Sequence, residues 1–488
     1  MSLARRLVCH WLFSLTLVLP VGCAVGPDYH RPPAIPTMPA NYAGATDEWK
    51  VASPRAHVPK GAWWKIFDDA ELNRLEEESA TANQQLQAAV ARFAQARATT
   101  DVVRSGLFPR IGAGFAATRQ RDSATRPLNS TGQEAGNGYT YDNFTIPFDL
   151  SYELDLWGRV RRQLESARGR EQADAADLES IRLAVAAEVA ADYFTLRALD
   201  AERAAVAASI EAYGKSLELT RNRRAAGLVS DLDVAQAETV LKSAEGQLSA
   251  LTLTRAKFEH ALATLTGQPA PTFHLAQLRL DCEPRVIPAD LPSALLERRP
   301  DIAAAEQRMA VANAGIGVAQ AAFFPTVRFN GLAGFQSIDA GTLFNWPSRL
   351  WAVGPSLSLP LFEGGQRRAS LRAAQAAYEE TVARYRQTVL TAFAEVEDNL
   401  AAQRLLLDQY NQELAALGAA RKQLEIATNR YRSGLVSYLQ VATAQTVALE
   451  RERAVARLRG QQSVAAVALI KSLGGGFNDA DTTETESH

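Results

Sequence analysis

Residue types that build catalytic and metal sites are scarce in this chain, whose 488 residues include 3 cysteines and 6 histidines. The histidines are scattered, and the His-Glu-x-x-His spacing that sets two zinc ligands on one helix face does not occur. The Gly-x-Ser-x-Gly turn of nucleophilic serines is missing too. Gly214-Lys215-Ser216 has the end of a phosphate loop, but Ser209 replaces its first glycine. The sequence predicts no catalytic residue, no metal site and no cofactor.

An excess of charge is also missing, since 52 basic and 54 acidic residues give a net charge of −2. No dense run of lysine and arginine occurs, so the sequence gives no support for nucleic-acid binding. The one sustained apolar run, Leu7–Leu19, is shorter than the roughly 20 residues that a membrane helix needs. It follows Arg5-Arg6 and precedes Gly22-Cys23, which is the layout of a secretory signal peptide. An uncleaved membrane anchor is the alternative.

Cys23 lies at the expected cleavage point and is predicted to be a lipid-modified N-terminus. Val21 and Gly22 fit the motif for lipid attachment, although Pro20 stands where leucine is commonest. Ala24 carries no obvious inner-membrane retention signal, which favours the outer membrane.

Cys9 would leave with the signal, and Cys282 is solitary, so the mature chain is predicted to form no internal disulfide.

The chain is built twice. Residues 222–240 and 429–447 are identical at 12 of 19 positions, and both contain Gly-Leu-Val-Ser. Leu156-Trp157 and Phe108-Pro109 have counterparts in Leu361-Phe362 and Phe324-Pro325 at nearly the same shift. We interpret this as an internal duplication.

Each repeat combines two hydrophobic periods. From Tyr378 to Leu424 the apolar residues are spaced about 3.5 apart, as in a coiled-coil seam. Arg367 to Arg432 is predicted to be one helix, about 100 Å long. Alternation with period two covers Phe144–Leu156 and Trp351–Leu361, as in strands of a transmembrane barrel or of an ordinary half-exposed hairpin.

Two strands are predicted in each repeat, and the resulting four strands cannot close on themselves. A bilayer does not tolerate an open sheet edge. Small barrels begin at about eight strands, so the membrane part must be completed by other copies of the chain. The predicted organisation is a signal peptide (1–22), a lipid-anchored extended proline-rich segment (23–60), a first repeat (61–267, with strands at about 109–121 and 143–156), a linker (268–291), a second repeat (292–476, with strands at about 325–337 and 350–362) and a disordered tail (477–488).

Motifs in order along nearly the whole mature chain resemble the TolC-like outer membrane factors, in their NodT-type lipoprotein branch. These motifs are Cys23-Ala24-Val25-Gly26-Pro27-Asp28-Tyr29, Trp63-Trp64 with Phe67-Asp68, Tyr152–Arg159, Leu295–Ile302, Pro360-Leu361-Phe362 with Gly364-Gly365, and Leu473–Gly476.

The resemblance implies a mainly α fold with a membrane β-barrel: a homotrimer whose 12-stranded barrel continues as a 12-helix periplasmic tube. It further implies a periplasmic adaptor and an inner-membrane pump, usually of the resistance-nodulation-division class, as partners.

The two Gly-Leu-Val-Ser turns are the candidate docking sites for the adaptor. Glycine can take the left-handed conformation that ends a helix, and Ser230 and Ser437 are expected to cap the next helix, with Asp233 and Gln440 reaching back. The apolar side chains favour a docking surface over turn chemistry alone. The residues are Gly227, Leu228, Val229, Ser230, Gly434, Leu435, Val436 and Ser437.

A gate is expected near the same turns, with Asp231, Asp233, Arg430 and Tyr431 as candidates, although charges near helix ends are usually just solvated.

The leading hypothesis is a passive outer-membrane duct of a tripartite efflux system. The alternatives are the duct of a type I protein exporter and a periplasmic scaffold lipoprotein without a pore.

Overall fold

The computed structural model describes residues 24–34, 61–123, 138, 140–278 and 299–475. The predicted signal peptide, the lipidation site Cys23, most of the proline-rich segment, most of the linker and the tail lie outside the described residues. So does residue 282, the cysteine predicted to remain unpaired.

Long helices dominate the described part of the chain, and one antiparallel sheet accompanies them. The helices are α1 (Ala70–Ala82), α2 (Gln84–Ser105), α3 (Arg159–Ala225), α4 (Asp231–Leu265), α5 (Pro300–Ala321), α6 (Gln366–Arg432) and α7 (Tyr438–Ser472). The strands are β1 (Arg110–Ala113), β2 (Ala116–Arg121), β3 (Thr140–Leu154), β4 (Thr326–Ser337) and β5 (Arg349–Ser358).

The duplication recurs in the helix lengths, since α3 and α6 have 67 residues each and α4 and α7 have 35 each. Neither long helix contains proline, which would remove a backbone hydrogen bond. Helix α6 begins one residue before the position at which the apolar spacing predicts it and ends at the predicted Arg432. Tertiary burial rather than local propensity must stabilise helices of this length.

The sheet has the order β1-β3-β4-β5, and β2 pairs with β3 beyond the end of β1. The strand predicted at about 109–121 is therefore two short strands in one continuous register with β3. The ladder is interrupted at Gly114, whose backbone N–H donates to the carbonyl of Pro147 at 2.9 Å, because Pro147 has no N–H to donate in return. Strand β5 ends at Ser358, before Pro360, which cannot donate to a ladder. The two repeats meet at the β3–β4 pair.

The register of the sheet sorts its side chains by face. Phe148, Ala333 and Trp351 are directly paired, and so are Leu150, Gly331 and Val353, which share their face. On the opposite face Asn330 donates from Nδ2 to Ser356 Oγ at 2.8 Å. Side chains on both faces are exposed to solvent in the single chain.

The chain folds into two compact units, the first of which comprises the described residues up to 32, Ala94–Gln172 and Glu306–Ala383. Within it, the residues that follow Cys23 lie along α3. Val25 donates its backbone N–H to the carbonyl of Trp157 at 3.0 Å, and Arg162 donates to the Val25 and Gly26 carbonyls and to Asp28.

The second unit contains the rest of the chain, including both helix-to-helix turns, and has its own apolar core. That core is centred on Trp63, Leu72, Tyr193 and Phe194, all at most 1% exposed. Gly460 lets α7 approach α3 closely, since a Cβ atom there would lie 2.3 Å from that of Ala198.

Burial along the predicted seam of α6 is uneven. Tyr385, Val389 and Val396 are fully buried, whereas Leu407 and Leu414 are each 47% exposed. One copy of the chain thus covers only part of this stripe.

No helix in the described ranges is both long and apolar enough to cross a bilayer.

Candidate functional site

Two short turns each reverse a pair of long helices within the second unit. We name Ala226–Ser230, between α3 and α4, the first tip, and Ser433–Ser437, between α6 and α7, the second tip. Gly227 and Gly434 have φ angles of +73° and +75°, a left-handed conformation that costs other residues about 1–2 kcal/mol. The N–H groups of Leu228 and Leu435 close the ends of α3 and α6 by donating to the carbonyls five residues earlier, both at 2.9 Å.

The apolar side chains of the tips divide into two classes. Leu228 and Leu435 are 68% and 70% exposed. Val229 and Val436 are half-buried and pack against the core between the hairpins, which includes Tyr431. Each tip therefore presents one leucine to solvent, while its valine anchors the turn.

One carboxylate caps the helices that follow both tips. Asp233 Oδ2 accepts from the backbone N–H and the hydroxyl of Ser230, at 3.0 and 2.8 Å, and the N–H of Asp233 donates back to Ser230 Oγ. The predicted capping box is thus present at the first tip.

At the second tip the prediction was wrong. Ser437 makes no side-chain cap, and Asp233 Oδ1 instead accepts the N–H of Tyr438, the first residue of α7, at 3.0 Å. The acid comes from the other hairpin, 205 residues away in sequence.

Tyr431 forms the centre of the contact between the hairpins. It is 4% exposed, and its hydroxyl lies 3.2 Å from Thr220 Oγ1 on α3. The guanidinium of Arg223 lies over its ring, 4.8 Å from the centroid. Arg223 Nη1 also donates to the Tyr431 and Arg432 carbonyls, at 2.7 and 3.3 Å, where α6 ends. A cation near the C-terminus of a helix is favourable because it faces the negative end of the helix dipole.

The four gate candidates have different surroundings. Asp231 forms an exposed bidentate pair with Arg224 at 2.7 and 2.9 Å. Asp233 is a cap and Tyr431 is buried between the hairpins. Arg430 is exposed and, among the described residues, forms no ion pair. The structure brings Asp233 and Tyr431 into the same contact region and leaves Asp231 and Arg430 at its surface.

Sequence reasoning missed Thr220 and Arg223. The duplication pairs Arg223 with Arg430, and only Arg430 was among the predicted gate residues. Thr220 and Arg223 are three residues apart and so lie on one helix face, which was the available signal.

The acids at the tips are held ionised. The hydrogen bond from Arg224 lowers the pKa of Asp231. Partial burial opposes ionisation of Asp233, but the hydrogen bonds from Ser230 and Tyr438 outweigh it and lower the pKa. Burial raises the pKa of Tyr438 to about 12, so this phenol stays neutral at physiological pH. The region is suited to binding and conformational change.

Within the described ranges, no group of three or more His, Cys, Asp or Glu side chains is arranged to hold a metal ion.

The chain matches the model of the outer membrane efflux protein family over residues 75–268 and 291–475. The curated relatives include a probable efflux pump outer membrane protein, TtgC, of Pseudomonas putida, 33% identical over 457 residues and 93% of each chain. Another is the outer membrane protein OprJ of Pseudomonas aeruginosa, 31% identical over 96% of each chain.

Solved structures agree with these matches. The outer-membrane channel OprN superposes with a TM-score of 0.81 at 31% identity, covering 93% of this chain and 99% of that one. VceC from Vibrio cholerae gives a TM-score of 0.78 at 31% identity, covering 87% and 100%.

Proposed function

This chain belongs to the outer membrane efflux protein family, and from that premise we propose that three copies of it form a passive duct that carries small amphipathic molecules out of the periplasm. The duct is a 12-stranded β-barrel in the outer membrane, continued by a 12-helix tube. One observation supports it above all: a sheet with an apolar face, a polar face and two unpaired edges.

The two faces suit the wall of a water-filled barrel. On one face Trp351, Val353 and Leu357 are 77%, 60% and 69% exposed, far more than a sheet covered by a core allows. Lipid can cover such a face. On the other, Glu153 pairs with Arg328 at 3.8 Å, which suits contact with water. Barrels of the outer membrane alternate in this way, apolar outward and polar inward.

The edges supply the argument for assembly. Strands β1 and β2 form one edge of the sheet and β5 the other, and their outer backbone groups have no strand partner in the described chain. Such groups cost several kcal/mol each in a bilayer. If β5 of one copy pairs with the β1–β2 edge of the next, three copies close the ring. The exposed leucines of α6 would likewise be covered by a neighbouring helix.

Docking of a periplasmic adaptor is assigned to the two tips. Leu228 and Leu435 are apolar, exposed and held on rigid turns, so a partner can bury them without ordering a loop first. We place an inner-membrane pump behind the adaptor, because the relatives are named as parts of efflux pumps. The chain itself acts as a conduit and not as an enzyme.

The gate is assigned to the contact between the hairpins. Opening the tube requires the hairpins to separate, which would break the Arg223–Tyr431 and Asp233–Tyr438 contacts. Asp231 and Arg430 lie at the surface, where they can pair with a neighbouring copy in the closed ring.

The substrates are proposed from the relatives, which are named for efflux of toluene, solvents and antibiotics. Apolar or amphipathic molecules of moderate size are the class they share. The choice among them belongs to the pump, since a wide duct selects little.

Attachment of lipid at Cys23 is the remaining proposal. Its neighbours Val25 and Gly26 are tied to Trp157 and Arg162, near the end of β3. An acyl chain on Cys23 would thus start at the membrane end of the helices. The intact mass of the mature chain tests this, and an unmodified or uncleaved N-terminus would contradict it.

Conductance across planar bilayers tests the duct. The purified full-length protein should form channels with a uniform unit conductance, and a scaffold lipoprotein would form none. A photo-crosslinking residue at Leu435 should then capture an adaptor in cells that are pumping drug. Capture of the adaptor of a protein exporter instead would favour the type I secretion alternative.

A further inference from the structure

A cavity of about 220 Å³ lies in the second unit, away from the tips, and plays no part in the proposed duct. Its lining comes from the segment that begins at Gly61, from α1, from the start of α2 and from α3. Apolar walls include Trp63, Leu86 and Leu183, which are at most 8% exposed. Arg182 and Glu179, paired with each other, lie at its border.

Three polar groups in this lining have no hydrogen-bond partner among the described residues. They are Oε1 of Glu76, Oγ of Ser79 and Nε1 of Trp64. Glu76 and Ser79 are 2% and 1% exposed, so solvent does not reach them freely. A buried polar group left unpaired loses its hydrogen bonds to water without replacement, which is unfavourable. Several of them around one apolar space are therefore unusual unless something occupies it.

The size of the cavity limits the occupant. Benzene fills a cavity of about 150 Å³, while drug-sized ligands need about 300 Å³ or more. A single ring with a short substituent fits the space, and a drug does not.

The polar groups limit the chemistry. The Trp64 indole can only donate, so the occupant needs an acceptor. Burial raises the pKa of Glu76 to about 9, which leaves a neutral carboxylic acid at pH 7 that donates one hydrogen bond and accepts others. A hydroxyl group both donates and accepts, and so complements the acid, the Ser79 hydroxyl and the indole together.

We propose that this cavity, named the Glu76 cavity, is a binding site for a small uncharged aromatic molecule that carries a hydroxyl group, such as a simple phenol. Its ring packs against Trp63 and Leu183. Its hydroxyl lies among Glu76, Ser79 and Trp64. None of the lining residues belongs to the sheet or to the two tips, so we expect a ligand bound there to be held rather than transported.

Calorimetric titration of the full-length protein in lipid nanodiscs tests the proposal, with 4-ethylphenol as the probe. One saturable site per chain is expected. Ethylbenzene, which has the same shape without the hydroxyl, should bind about tenfold more weakly or worse. Saturation by both compounds with equal affinity, or by neither, would overturn the proposal.

Two substitutions locate the probe. Glu76→Gln keeps a neutral group that donates and accepts, and should change the affinity less than about threefold, whereas Glu76→Leu should weaken it at least about tenfold. Ala186→Leu fills the cavity from α3 and should abolish binding even if Glu76→Leu does not assemble. Unchanged binding to Ala186→Leu would place the probe elsewhere and refute the site.

A cationic ligand is the rival, because an ionised Glu76 could pair with an amine. 2-Phenylethylamine measures this. If it binds more tightly than 4-ethylphenol and Glu76→Gln abolishes its binding, the site is one for cations and the proposal is wrong. A crystal structure that shows the cavity filled by residues 35–60 of the same chain would also refute it.

Discussion

The first and second tips have the same backbone conformation and differ in their polar contacts. Both end a 67-residue helix with a left-handed glycine and expose one leucine. The first tip is capped from within by Ser230 and Asp233. The second borrows its cap from Asp233, while its own Ser437 makes no cap. The two repeats thus keep the same turn conformation, while the second repeat depends on Asp233 of the first for the cap of α7.

This difference points to Asp233 and Arg223, which both lie on the hairpin of α3 and α4, as the residues that hold the two hairpins together. Three experiments test the comparison.

The largest effect is expected from Gly434→Asp. A Cβ atom there would lie 3.7 Å from Arg223 Nη2, so the new carboxylate would draw Arg223 away from Tyr431 and place a charge on the proposed docking surface. Strain of about 1–2 kcal/mol is too small to unfold the hairpin. Drug susceptibility should rise to that of cells lacking the protein, with assembly intact.

Two variants serve as controls for Gly434→Asp. Gly434→Asn, whose neutral side chain tolerates the left-handed conformation, should keep most efflux. At Gly227 a Cβ atom would meet no atom of the described residues within 4 Å, so Gly227→Asp should impair efflux less. Unchanged susceptibility in Gly434→Asp would refute the role of the second tip.

An intermediate effect is expected from Arg223→Ala, which removes the contact with the Tyr431 ring and the hydrogen bonds to the end of α6. These contacts are worth about 1–2 kcal/mol, so the open probability in planar bilayers should rise by roughly tenfold. Arg224→Ala breaks only the exposed pair with Asp231, which solvent screens, and should leave gating nearly unchanged. Equal effects of the two variants would remove Arg223 from the gate.

The smallest effect is expected from Asp233→Ala. Loss of a cap costs about 1 kcal/mol, so amide exchange at the first turns of both α4 and α7 should quicken about fivefold. Ser437→Ala should change neither, since its side chain caps nothing. Faster exchange at α4 alone would show that the second tip does not depend on Asp233.

The pH dependence of the same measurement follows from the lowered pKa of Asp233. A carboxyl whose folded pKa lies below its unfolded value stabilises the fold fully above the unfolded value and loses that contribution as the pH falls through the folded one. The rate of amide exchange at the first turns of α4 and α7, corrected for the pH dependence of the intrinsic exchange rate, should therefore be constant between about pH 5 and 7. It should rise below about pH 4. A change near neutral pH would contradict it.

Much of the secondary structure could be predicted from local sequence patterns. The apolar spacing of α6, the absence of proline and the glycine at its end fixed a helix that the structure starts at Gln366. Alternation located the strands to within a few residues, except that the first predicted strand is interrupted at Gly114, between β1 and β2. These features depend on neighbours in sequence, which a single chain displays.

The contacts that define the candidate site were largely out of reach. Asp233 caps Tyr438 and Thr220 meets Tyr431 across separations of 205 and 211 residues, which depend on how the hairpins pack. The burial of Glu76 was equally hidden, because its neighbours in sequence, Glu77 and Glu78, share its chemistry. Position within a packed unit, rather than residue type, separates them.

The unpaired edges of the sheet have a consequence for biogenesis. Until a newly exported copy finds its neighbours, β5 presents open backbone groups that can pair with any extended strand. Such a copy would need a chaperone that covers the edge of β5 until the sheet inserts into the outer membrane. Leu357→Pro on this edge strand should therefore be dominant negative. If the variant and the natural chain are produced equally and three copies form the proposed ring, roughly one ring in eight would contain only natural chains.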